Sequence, residues 1–142
     1  MAIRLIREED LEICGAIYSE AFSVRPYTGI WKAKDATDML SGLLDRDPHS
    51  CWCVEQDGEI AGFIFCTQFG TFRATIQEFA IAPKYQKLRL GTALMQYALD
   101  EFRDRGMQTV DLVVNRDAPA YALYRKMGFL QPSQYAVMSR WL

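Results

Sequence analysis

The stretch Lys84-Tyr85-Gln86-Lys87-Leu88-Arg89-Leu90-Gly91-Thr92 sets three cations, Lys84, Lys87 and Arg89, immediately before a segment of helical period. The first N–H groups of a helix have no partner within it. Together with the helix dipole and nearby cations they form an anion site for which a phosphate is a natural guest. Ahead of this connector, Phe79-Ala80-Ile81 is an apolar run that stops at Pro83, a residue that cannot donate to a sheet ladder. A strand, a basic turn and a helix therefore follow one another. A second group with possible chemistry is Cys51-Trp52-Cys53 with His49 close by. Two thiols at i and i+2 on a strand point the same way, and no second pair closes a tetrahedron around a metal. With Cys14 and Cys66 forming no CxxC pair, four reduced, buried thiols and no metal are expected.

Gln86-x-x-Arg89-x-Gly91, following a strand that ends Ile81-Ala82-Pro83, resembles the acyl-CoA pyrophosphate loop of the GCN5-related N-acetyltransferases, Gln/Arg-x-x-Gly-x-Gly/Ala. Arg89 departs from that pattern, where glycine is usual: it carries a strain cost or the turn accepts a side chain, and its guanidinium can add a phosphate contact. Further on, the run from Asp117 to Phe129 resembles the family's second signature, Asn-x-x-Ala-x-x-Leu-Tyr-x-Lys-x-Gly-Phe, with Ala120, Leu123, Tyr124, Lys126, Gly128 and Phe129 all matching. Here Asp117 stands in place of an asparagine that bonds the pantetheine arm. Aspartate accepts but cannot donate there, and Asn115 is an alternative. The two signatures lie in the family's order and at its separation, and with the strand order they cover nearly the whole chain.

The resemblance implies an acyl-CoA N-acyltransferase fold in which the strand ending at Ile81 and the next strand splay apart and admit an extended pantetheine as a false strand. The cofactor residues it implies are Phe79, Ala80 and Ile81 on the strand, Gln86, Lys87, Leu88, Arg89, Leu90, Gly91 and Thr92 on the loop, and Asn115, Asp117 and Tyr124 beyond. The implied reaction is direct attack of an amine on the thioester of acetyl-CoA, a co-substrate, with no covalent acyl-enzyme and no metal. It needs a neutral amine, an oxyanion donor such as the N–H near Phe79 or Ala80, and a proton for the thiolate, for which Tyr124 is the candidate acid. Glu78 is the candidate base, acting directly or through a water. Neighbouring strand residues face opposite ways, so only one of Gln77 and Glu78 can reach the acceptor unless a bulge intervenes. Tyr27, Trp31, Tyr135 and Phe22 are candidates for the acceptor pocket, by stacking or cation–π contact. A CoA-binding module without turnover and an acyltransferase for longer acyl chains are the competing readings.

These groups need a scaffold. Ala2 to Arg7 alternates as a strand, and Leu11, Cys14, Ile17, Tyr18 and Ala21 then recur at helical spacing behind the acidic Glu8, Glu9 and Asp10. Residues Ser23 to Lys34, with Pro26 and Gly29, read as a loop, after which Asp35 caps a helix with Ala36, Met39, Leu40 and Leu43 on its buried stripe. Ser50–Gln56 and Glu59–Phe69 flank the two-residue turn Asp57-Gly58 and form a hairpin. The long helix carries Leu94, Ala98 and Phe102 with Met95 and Leu99 beside them, and Gly106 stops it. Thr109 to Val114 reads as a strand buried on both faces, Ala118 to Met127 as a helix with Pro119 in its first turn, and Phe129-Leu130 and Tyr135–Trp141 as two last strands. The order β-α-α-β-β-β-α-β-α-β-β describes one α/β domain over residues 1–142, a mixed, mostly antiparallel sheet with helices on both faces.

The 142 residues, half of them hydrophobic, suit one domain with a full core. A net charge of −2 argues against nucleic acid or an anionic membrane as partner. No apolar run approaches a bilayer span and the start MAIRLIREED lacks a secretory pattern, so a cytoplasmic location is expected. The partner expected is a small-molecule or peptide amine, and a homodimer is implied only by the resemblance.

Overall fold

The computed structural model describes residues 1–27 and 30–142. Gly29, assigned to the loop after the first helix, lies outside the described residues. The chain runs β1 (Ala2–Leu5), α1 (Leu11–Phe22), α2 (Ala33–Arg46), β2 (Cys51–Gln56), β3 (Glu59–Phe69), β4 (Arg73–Ile81), α3 (Leu90–Asp104), β5 (Thr109–Leu112) and α4 (Pro119–Lys126). Among the described residues the five strands form one sheet in sequence order, antiparallel up to β4 and parallel between β4 and β5.

Alternation along β2 shows why both faces are covered. Trp52 packs edge-on against Phe102 of α3, with ring centroids 5.8 Å apart, while Cys53 turns to the other layer and lies near Cys14 of α1. Residues Cys51–Val54 and Ala61–Thr67 are buried without interruption, as strands between two helical layers must be. All four cysteines are free and buried. Asp57 and Gly58 take φ of +54° and +77°, the backbone that a two-residue hairpin turn requires.

The end of the molecule away from the parted strands is tightly pinned. Arg105 donates to Ser50 Oγ at 2.9 Å and to the His49 carbonyl at 2.8 Å, and lies over the rings of Trp52 and Phe102. The start of α1 is pinned too: the Arg4 guanidinium on β1 grips the buried Asp10 carboxylate at 2.7 and 3.0 Å, and the Arg7 N–H donates to it at 2.7 Å.

Three expectations are corrected. Helix α2 starts at Ala33 with Lys32 at the N-cap and no side-chain cap, so Asp35 sits inside the first turn, where it complements the dipole instead of capping. On β5, Thr109 and Asp111 are exposed, as is Val113 just beyond it, while Val110 and Leu112 are half-buried, because β5 is an edge strand covered on one face only. Asp111 guards that edge, bonding Thr75 Oγ1 at 2.6 Å and pairing with Arg73 at 3.5 Å. The two final strands do not form: residues 129–142 contain no strand, and Leu130, Tyr135, Val137, Met138 and Trp141 are exposed. Alternating side chains favour a strand only where a partner ladder supplies its hydrogen bonds, and strand propensity is weak without one.

Candidate functional site

Strands β4 and β5 pair only from Arg73↔Thr109 to Ile76↔Leu112. Beyond Ile76, β4 continues to Ile81 against β3 alone, so among the described residues its other flank from Gln77 to Ile81 has no strand partner and the two tips part. The register breaks at the same place. Phe65 faces Glu78 and Cys66 faces Ile76, leaving Gln77 unpaired in a bulge. A bulge was the condition for Gln77 and Glu78 to face one site together, and both line the cavity where the tips part. Gln77 Nε2 reaches Thr67 Oγ1 at 3.4 Å.

Four elements wall this cavity. Phe22 and Tyr27 come from the end of α1 and the loop after it, Ile76 to Phe79 from β4, Leu112 to Asn115 from β5 and its exit, and Ala120 and Tyr124 from α4. Tyr124 is buried and its ring packs on Phe79 at 6.2 Å and Phe129 at 5.7 Å. Burial, with smaller contributions from Tyr27 and Glu78, pushes its phenol well above the ordinary value, so it stays protonated throughout the physiological range. Glu78 is half-buried, and burial pushes its carboxyl up to about 7, against a smaller lowering by the Tyr18 hydroxyl. A carboxyl at that value is divided between its acid and base forms near neutrality, as a proton acceptor requires.

The connector runs along the next edge. Pro83–Tyr85 makes a single tight turn, and Arg89 becomes the N-cap of α3 at φ +62° with no side chain capping the helix. Lys87 also has positive φ, +68°. Two L-residues in the left-handed region cost about 1 kcal/mol or more each, a cost that concentrates at functional turns. The N–H groups of Leu90, Gly91 and Thr92 are left without an intrahelical partner. Gly91 lets this helix start lie close on the strand tip: a Cβ there would sit 3.3 Å from the Phe79 ring and 3.4 Å from Ile81.

Several expected residues take other places. Lys84 turns away from the helix start, pairing with Glu59 at 2.7 Å and lying over the Tyr85 ring. Gln86 Nε2 donates to the Ile81 carbonyl at 3.1 Å, tying the connector to the strand end, while Lys87, Leu88, Arg89 and Thr92 are exposed. Leu90, Ala80 and Ile81 are buried. Asn115 lines the cavity and its Oδ1 accepts the Asp117 N–H at 2.9 Å, whereas the Asp117 side chain is exposed outside the cavity wall. Trp31 does not reach the cavity. It packs edge-on against Tyr18 at 5.0 Å, with its backbone N–H on Ser23 Oγ at 3.1 Å and its carbonyl taking a bond from Ser19. Tyr135 is exposed, since the final strand expected to carry it is not formed. Sequence reasoning missed Ile76, Leu112, Val113 and Val114 as cavity walls, because they read as ordinary strand positions.

Residues 14–129 match the acetyltransferase (GNAT) family. The chain belongs to that family. It is 32% identical over 129 residues to an N-acetyltransferase ycf52-like protein of Prochlorococcus marinus, covering 89% of this chain and 67% of that one. It is 40% identical over 77 residues to the ribosomal protein bS18-alanine N-acetyltransferase of Escherichia coli, covering 54% of this chain and 51% of the relative. The matched stretch thus spans about half the length of that enzyme. The crystal structure of the same Escherichia coli enzyme superposes with a TM-score of 0.75 at 26% identity, over 93% of this chain and 79% of the other. Ard1 of Thermoplasma volcanium gives 0.77 at 25% identity, over 93% and 84%. GNAT acetyltransferases use acetyl-CoA, and this family's fold is the one described above. No helix among the described residues is long and apolar enough to cross a membrane, and no three His, Cys, Asp or Glu side chains among them group as metal ligands.

Proposed function

We propose that this protein transfers the acetyl group of acetyl-CoA to a primary amine of a small molecule or peptide by direct attack. The observation that carries the reading is the placement of Glu78 and Tyr124 on the walls of one cavity at the point where β4 and β5 part. The names of relatives support an amine acceptor, one a bS18-alanine and another a streptothricin acetyltransferase. The pyrophosphate would lie on the N–H groups of Leu90, Gly91 and Thr92, with Lys87 and Arg89 beside it and Gln86 and Leu88 shaping the turn. The pantetheine arm would follow the unpaired flank of Phe79, Ala80 and Ile81, with Asn115 in the role of the family asparagine and Asp117 outside it.

The amine nitrogen attacks the thioester carbonyl, Glu78 takes the proton the nitrogen loses, the C–S bond breaks, and Tyr124 gives its phenolic proton to the departing sulfur. A backbone N–H of the free strand flank receives the oxyanion. Gln77 and Tyr27 are the acceptor-side contacts, with Phe22 as the apolar wall. Moving a proton from an α-amine of pKa near 8 to a carboxyl at about 7 is uphill by about 1.4 kcal/mol, whereas a lysine amine near 10.4 costs about 4.6 kcal/mol. The base is therefore matched to weakly basic amines.

Thiol release from acetyl-CoA with a panel of amines tests this. Turnover should appear with α-amines before lysine-like amines, and Tyr124→Phe should lower it on the order of 10²-fold with little change in acetyl-CoA affinity. Tight acetyl-CoA binding with no release for any acceptor would instead mean a CoA-binding module.

A further inference from the structure

We propose that Gln77, held by Thr67, makes the site select primary amines: its Oε1 binds the N–H that an attacking amine keeps, while Glu78 takes the proton it loses. The inference rests on the acetyl-transfer reading for its acceptor and adds the residue pair that sets the acceptor's class.

In the register of β3 against β4, Thr67 faces Thr75 and Phe65 faces Glu78. Phe65 and Thr67 are two apart on β3 and share one face of the sheet, so Glu78 lies on the face of Thr67. Gln77 is the extra residue of the bulge, and its Nε2 donates to Thr67 Oγ1 at 3.4 Å, which brings it to the same face. Thr67 is buried, a hydroxyl fixed within the sheet, and Gln77 is half-buried on the cavity wall. With Nε2 committed to that hydroxyl, Oε1 is the end of the carboxamide left for a guest, and it can only accept. Among the described residues the other carboxamide on the wall, Asn115, is engaged, its Oδ1 accepting the Asp117 N–H, and Glu78 is the one charged side chain there. The wall therefore offers a carboxylate and, one residue before it, an amide oxygen.

A primary amine attacking the thioester points its lone pair at the carbonyl carbon and carries two N–H groups. One proton passes to Glu78 as the C–N bond forms and the C–S bond breaks, with Tyr124 protonating the sulfur. The other stays on nitrogen into the amide product, so Gln77 Oε1 holds it from reactant to product. A secondary amine or an alcohol has only the proton it must lose, and leaves that oxygen without a donor.

The test compares kcat/KM for glycinamide and its N-methyl form, and for benzylamine and its N-methyl form, in the wild type, Gln77→Met, Thr67→Val and Thr67→Ser, each checked for its fold by a thermal melt. The wild type should favour each primary amine about 10- to 100-fold. Methionine keeps the length of the side chain but is a weak acceptor, so Gln77→Met should shrink the preference to about threefold or less by slowing the primary amine, with KM for acetyl-CoA unchanged. Thr67→Val should shrink it too and Thr67→Ser should restore it, because Thr67 acts through the carboxamide. An unchanged preference in Gln77→Met, or rates lowered equally for both members of each pair, overturns the proposal, and a preference that survives in Thr67→Val overturns the positioning by Thr67. Tight acetyl-CoA binding with no thiol release for any of the four amines defeats the acetyl-transfer reading itself. The pairing is then still decided by NMR of the Gln77 side-chain amide, whose protons should exchange with water faster in Thr67→Val than in the wild type. Equal exchange in the two proteins overturns the pairing.

Discussion

Asp10 and Glu78 are both carboxylates withdrawn from water, and the fold treats them in opposite ways. Asp10 accepts two bonds from the Arg4 guanidinium and one from the Arg7 N–H, and the Arg4 bond holds its carboxyl below the usual range. Glu78 has no cationic partner among the described residues, and burial raises it to about 7. The first arrangement ties β1 to the start of α1 and has no proton to exchange near neutrality. The second leaves a carboxyl that can exchange a proton near neutrality beside a gap in the sheet, at a cost in stability. A buried acid with a matched cation is a structural joint, and one left without a cation at a bulge is a candidate for chemistry.

Exchanging the acids for neutral residues should separate the two roles. Glu78→Gln should reduce turnover on the order of 10³-fold, read under conditions where chemistry limits the rate. Asp10→Ala should leave turnover per folded molecule intact but lower stability by about 3 kcal/mol in urea denaturation, because the Arg4 guanidinium loses its buried partner. The pH dependence of stability should also run in opposite directions. Asp10, lowered by folding, contributes stability that is full above its unfolded value near 4 and lost as pH falls through the folded value. Glu78, raised by folding, makes the native state bind the extra proton between about 4.5 and 7, so stability falls as pH rises through that window. Glu78→Gln should therefore be more stable than the wild type at pH 8, by about 1–2 kcal/mol after allowing for the open side of the cavity. The smallest effect belongs to the connector. Arg89→Gly should change stability by no more than about 1 kcal/mol, since relief of the left-handed backbone is offset by glycine's unfolded-state entropy. It should weaken acetyl-CoA binding about three- to fivefold in calorimetry and flatten its dependence on salt.

Much of the scaffold was legible because it is local. The period changes at Pro83 and Gly106, the Asp57-Gly58 turn and the proline at the head of α4 each act within a few residues, and the elements follow them closely. The candidate site was legible where a motif names a position, as for Tyr124, which lines the cavity, and the connector, which leads into α3. It was not legible where geometry depends on a partner strand. The bulge at Gln77 arises from the register of β4 against β3, and no residue type in Thr75–Ile81 announces it. The unformed strands after Gly128 show the same limit from the other side: alternation in Tyr135–Trp141 states which side chains would share a face, not that an edge will pair with them.

The most direct test of the account is the pH profile of kcat/KM for wild type and Glu78→Gln with an α-amine acceptor. Besides the ionisation of the acceptor amine near 8, which both proteins share, the wild type should show a second acid limb with a midpoint of about 7 that is absent from the residual activity of Glu78→Gln. The limb at about 7 in both proteins, or in neither, would contradict the assignment of Glu78 as the group that takes the proton.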